Sequence, residues 1–194
     1  MATQLWLIPL FPLLGFVLNL LLGCTLGRTF TTLVGPLAVL AALGQSVWAC
    51  IALWSGSATT IQETLWRWIH IGDLQLEIGF QVDPLTAMFL LIITGIGFLI
   101  HVYSVGYMTD EEHYGRFFAF LNLFVFFMLV LVLADNLLLM FVGWEGVGLC
   151  SYLLIGFYHE KISAGEAAKK AFLFNRVGDF GVLSAVMMLV VYLG

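Results

Sequence analysis

Long apolar runs separated by short polar breaks dominate the hydrophobic pattern of this chain. A helix needs roughly 20 predominantly apolar residues to cross about 30 Å of hydrocarbon, and the pattern predicts six of them. The first covers residues 5–26, with Pro9 and Pro12 in its opening turns, where a missing N–H costs least. The second covers 32–54, with Thr31 or Thr32 as N-cap and Pro36 in the first turn. The third, 84–107, opens at Asp83-Pro84, an N-cap followed by a proline at the first helical position. The fourth, 115–134, is rich in Phe. Only Asp135-Asn136 separates it from the fifth, 136–158, so these two must be antiparallel neighbours. The sixth, 164–194, opens with Ser163-x-x-Glu166, the spacing of a capping box.

Between the second and third helices the period changes. From Leu74 to Val82 apolar and polar residues alternate strictly, which is the period of a strand. Gly72-Asp73 precedes this stretch and follows the shorter alternations Trp66-Arg67-Trp68 and Ile69-His70-Ile71. We read residues 66–82 as a β-hairpin outside the hydrocarbon, with Trp66 and Trp68 as interface anchors; the alternative is an irregular amphipathic loop.

Composition agrees with lipid burial. Of 194 residues 62% are hydrophobic and 10% charged, against about 45–50% and 25% in an ordinary soluble domain. The fold class expected is an all-α integral membrane protein of about six transmembrane helices, one membrane domain with a short extramembrane β-hairpin. A net charge of −5 with no basic run excludes nucleic acid as a partner and leaves the lipid bilayer. Cys24, Cys50 and Cys150 lie in apolar stretches and form no C-x-x-C pair, so neither disulfide nor metal is expected of them. The N-terminus lacks the positive region of a cleaved signal peptide and is read as part of the first membrane helix. With the N-terminus outside, the inner loops carry Arg28, Arg116, Lys161, Lys169 and Lys170 against Arg67 alone outside, which favours that orientation.

Nearly all nineteen charged side chains fall at helix ends or in loops; Glu145, Arg176 and Asp179 do not. An ionisable group at bilayer depth costs at least roughly 2.5–3.5 kcal/mol on insertion scales, so it faces protein or water and marks an ion or proton path. Glu145 stands among Gly143, Gly146 and Gly148, which let a neighbouring backbone approach. It has no cation on its own helix and no intramembrane lysine in the chain, so it is either protonated or paired from another segment or subunit. Arg176 and Asp179 are three residues apart and share a helix face, either as a static ion pair or as part of a proton-carrying chain. His101, near the inner end of the third helix, is a proton-relay candidate or a packing histidine. No phosphate loop, iron–sulfur cysteine cluster, haem ligand pair, metal site or nucleophile motif is present, so no catalytic or cofactor-binding residue is assigned.

The stretches Leu131 to Met140 and Gly143 to Tyr158, with Gly97 to Tyr103, Arg116 to Ala119 and Arg176 to Asp179, resemble the antiporter-like subunits of respiratory complex I, NADH:quinone oxidoreductase, known as subunit L or chain 5. The resemblance covers all six helices and is densest from Asp83 to Asp179. It implies proton translocation driven by quinone reduction elsewhere in a large complex, with NADH, FMN, iron–sulfur clusters and quinone held by partner subunits. It also implies complex I membrane subunits as neighbours, above all another antiporter-like one, and a bacterial plasma membrane, with mitochondrial inner and thylakoid membranes as alternatives. Glu145 falls on the family's fifth-helix glutamate, which pairs with a lysine on a later helix, and Arg176 and Asp179 fall on its sixth-helix charged positions. Family members are much longer, with further repeats, so the chain is expected to be an N-terminal portion. Two other readings stand beside it: the large subunit of a multisubunit Na⁺/H⁺ antiporter, and a structural scaffold with static ion pairs.

Overall fold

A computed structural model describes residues 4–56, 59–71 and 74–193. The Gly72-Asp73 turn, the residues before Gln4, the side chain of Cys24 and the terminal Gly194 lie outside the described residues.

The first two predicted helices are present as the two helical arms of α1 (Leu7–Ser55), separated at Gly27 (φ 80°, ψ −177°). That backbone conformation is essentially restricted to glycine, and it folds α1 back on itself. Gly15 lies against Ala38, Gly23 against Thr31, and the Gln45 amide donates to the Gln4 carbonyl at 3.4 Å, so the two arms run antiparallel. The expected Thr N-cap of a separate second helix is therefore not formed. The Thr32 hydroxyl donates back to the Arg28 carbonyl (2.9 Å) inside the helix, and Pro36 sits within the second arm and not in its first turn.

β1 (Ile61–Ile71) and β2 (Leu74–Val82) pair antiparallel, from Ile61↔Val82 to Ile71↔Leu74. Register shifts between Thr64 and Trp66 and between Arg67 and Ile69 put one extra residue at each place into β1. Each bulge exchanges the two faces of the strand, so only β2 alternates along its whole length and the hairpin begins five residues before the expected 66. The hairpin is tied to the bundle at three points. Glu63 accepts from the Leu5 amide at the start of α1, where the helix dipole favours an anion. Asn136 donates to the Glu77 carbonyl (2.8 Å), and the Asp135 amide donates to that of Gly79 (3.3 Å). Trp66 and Trp68 are exposed.

α2 (Pro84–Tyr107) starts as expected, the Asp83 carboxylate accepting from the Thr86 amide at 2.6 Å. α3 (Tyr114–Leu133) and α4 (Leu137–Ile155) are packed antiparallel across a tight turn that Asn136 caps through the Leu139 amide (2.9 Å). α5 (Ile162–Leu193) lies along α4. The expected capping box is not made, because α5 opens at Ile162 and Ser163 is already inside it, with the Lys161 carbonyl accepting from the Ala164 and Gly165 amides. By length and composition five described helices are fit to cross a membrane, the second arm of α1 (Thr25–Ser55) and α2 to α5; the first arm, Leu7–Gly23, is a shorter apolar helix.

Two apolar clusters fill the bundle. The larger, at the hairpin end, brings together Leu5, Ile8, Val39, Leu90, Leu129 and Leu133 under Phe80 and Val82. The smaller, at the opposite end, holds Met108, Tyr114, Phe118 and Phe157. Buried Asn19, Thr31, His101 and Asn122 interrupt this apolar interior.

Candidate functional site

α4 presents two different faces. Gly143, Gly146 and Cys150 point into α3. A Cβ on Gly143 would stand 2.6 Å from the Leu131 backbone, and one on Gly146 would enter the Phe127 ring. The other face, Glu145, Gly148 and Tyr152, meets α5: Gly148 packs on Asn175 and the Tyr152 ring on that of Phe172 (5.6 Å). The glycines thus bring backbones together as the sequence suggests, but two serve α3 and only Gly148 serves the helix that faces Glu145.

Across the α4–α5 contact the three intramembrane charges come together. Arg176 Nη1 donates to both Glu145 oxygens, at 2.7 and 3.0 Å. The same nitrogen lies 3.9 Å from Asp179 Oδ2 on its own helix. Asp179 is held instead from α4, where Trp144 Nε1 donates to its Oδ1 at 2.9 Å. Side-chain exposures grade from 53% for Arg176 through 26% for Glu145 to 7% for Asp179, so the chain itself buries the second carboxylate. The Arg176 guanidinium also lies over the Phe172 ring, 5.0 Å from its centroid.

The sequence leaves Glu145 either protonated or paired from another segment or subunit; here the segment is α5, which supplies Arg176. The expected Arg176–Asp179 pairing is present but is the longer of the two contacts, 3.9 Å against 2.7 Å for Glu145. Trp144 was not singled out from the sequence. The signal available was an indole N–H deep in an apolar span, a donor that seeks a partner when buried.

His101 is elsewhere. It is fully buried between α2 and α3, its Nδ1 donates to the Gly97 carbonyl at 2.8 Å, and its ring tilts against Phe118. Its Nε2 has no protein partner among the described residues. Outside the helices, the Thr86 amide holds the Asp83 carboxyl below its usual range, and a hydrogen bond to Glu111 raises the Tyr158 phenol above its own. Among the described residues no group of three or more His, Cys, Asp or Glu is placed to hold a metal.

Comparison with known proteins follows the same outline. The family described as NADH-Ubiquinone oxidoreductase (complex I), chain 5 N-terminus, matches residues 68–118, and the NADH:quinone oxidoreductase/Mrp antiporter transmembrane family matches 134–194. NADH-quinone oxidoreductase subunit L of Mycobacterium tuberculosis is 48% identical over 179 residues, covering 91% of this chain and 28% of the relative. That of Escherichia coli is 44% identical over 192 residues, 99% of this chain and 31% of the relative. In fold, a chain of the Mrp complex from a Dietzia species superposes with a TM-score of 0.75 at 26% identity, over 96% of this chain and 20% of that one. The chain spans less than a third of the length of these relatives.

Proposed function

Because the chain belongs to the family of antiporter-like membrane subunits of NADH:quinone oxidoreductase called subunit L or chain 5, we propose that it is part of a proton-translocating subunit, coupled to quinone reduction elsewhere in a complex. One observation carries this reading. Two carboxylates from two helices, Glu145 and Asp179, share a single guanidinium at membrane depth. With both carboxylates ionised the cluster is one positive charge short, a deficit that a proton fills. Small motions of α5 against α4 redistribute Arg176 between the two acids, which changes the proton affinity of each.

In this reading Glu145 and Asp179 are the proton-carrying groups, Arg176 sets which of them is neutralised, and Trp144 positions Asp179. His101, with a free ring nitrogen, is a second candidate stop. NADH, FMN, iron–sulfur clusters and quinone belong to partner subunits, and another antiporter-like subunit is the neighbour in the membrane. The N-terminus and the hairpin face outward and the basic loops inward, in a bacterial plasma membrane.

The rival structural reading treats the cluster as a static lock. Exchanging the charges within α5, Arg176→Asp with Asp179→Arg, distinguishes the two. A working cluster loses most proton movement per electron while the complex still assembles; full pumping with exchanged charges contradicts the proposal. A second transport reading follows from the likeness to the Mrp complex. Sodium-dependent transport without quinone reductase activity in the purified complex favours it.

A further inference from the structure

On one face of the first arm of α1, Gly15, Asn19 and Gly23 recur every four residues, and they look onto α3 and the second arm. Gly23 lies against the Thr31 hydroxyl and close to Gly115, and Gly15 lies against the Asn122 amide. Asn19, Thr31 and Asn122 are all fully buried. Neither polar atom of the Asn19 side chain, nor Thr31 Oγ1, nor Asn122 Oδ1, has a protein hydrogen-bond partner among the described residues.

A buried amide with both ends unpaired is costly, so such groups are normally satisfied by protein or by water. Asn19 and Thr31 line a cavity of about 420 Å³ beside Gly27 and the start of α3, with Arg28, Glu112, His113 and Arg116 also in its wall. At roughly 30 Å³ per water it has room for several waters, and its wall supplies the polar partners that ordered water needs. Asn19 lies eight residues from Gly27, and Asn122 eight from Tyr114. At 1.5 Å per residue the polar line reaches about 12 Å inward from the loop side.

We infer that this cavity is a water-binding inlet, giving solvent from the basic-loop side access through Thr31 and Asn19 toward Asn122, on the α1 side of α3 and apart from the α4–α5 ion cluster. Its ligand class is water, held by two carboxamides and a hydroxyl. Gly23, which lines the cavity beside the Thr31 hydroxyl, keeps that wall free of a side chain.

The test is chemical access in membrane vesicles carrying the full-length protein with its native cysteines replaced by alanine. Thr31→Cys, close in size to the native residue, and Asn19→Cys are exposed to a membrane-impermeant cationic methanethiosulfonate, which reacts only with thiolates in water. Leu33→Cys, two residues from Thr31 and facing away from the protein interior, is the control at equal depth. Labelling of Thr31→Cys and Asn19→Cys at least tenfold faster than the control, with reagent on the loop side only, is the expected result. Rates no faster than the control, or fast labelling only from the hairpin side, overturn the inference. Should Asn19→Cys fail to insert, Thr31→Cys alone decides by the same criterion.

Discussion

Trp144 and Arg176 do the most to define the ion cluster. Trp144→Phe removes the indole donor to Asp179 Oδ1, leaving a buried acceptor with one partner fewer. The expected cost is about 1–3 kcal/mol, read as a lower thermal midpoint in detergent, with Trp144→His a milder change because it keeps an N–H. Arg176→Gln strips the cation from both carboxylates and is expected to impair assembly more than Arg176→Lys, which keeps the charge. Glu145, Arg176 and Asp179 could be found from the sequence because hydrocarbon makes any charge conspicuous. The spacing of Arg176 and Asp179 was legible as a pair, but the pairing of Arg176 with Glu145 was not, because it depends on how α5 is rotated against α4, and no local pattern encodes that rotation.

Among elements, the close α3–α4 contact makes a sharp comparison. Gly143→Ala and Gly146→Ala force a methyl into the Leu131 backbone and the Phe127 ring and are expected to lose about 1–3 kcal/mol, whereas Gly148→Ala, 3.4 Å from Asn175, is tolerated. Thermal unfolding of the three variants side by side checks the order. Gly27→Ala places a side chain at φ 80° with ψ −177° and is expected to cost about 1–3 kcal/mol, felt as loosening of the two arms of α1. The Asp83 cap is pH-dependent in a definite sense. Its folded pKa lies below the unfolded value of about 3.9, so its contribution is present above that pH and lost as pH falls through the folded value. Asp83→Asn keeps the cap and removes this acid sensitivity, which unfolding curves at neutral and acid pH detect. The cap at Asp83 and the alternation of β2 were readable because each is a local pattern. The start of β1 was hidden by its bulges; the break between the first two helices was readable, but not that Gly27 alone would make it.

At the scale of the whole molecule, the hairpin closes one end of the bundle through Glu63, Glu77 and Gly79, while the basic residues crowd the other end. The proposed orientation predicts that Glu112→Cys is labelled by an impermeant thiol reagent from the cytoplasmic side and Trp66→Cys from the outside; the reverse pattern refutes it. Six apolar runs point to the helical membrane class directly, and short connections make consecutive helices neighbours, but the rotation that sets Arg176 against Glu145 arises from the packing of α5 on α4. The central claim is that the Glu145–Arg176–Asp179 cluster moves protons instead of only holding helices together. Its most direct test is the number of protons translocated per electron, measured in proteoliposomes of the assembled complex carrying Glu145→Gln, with quinone reduction followed in the same vesicles. A markedly lower ratio in a complex that assembles normally is the predicted result, and an unchanged ratio contradicts the claim.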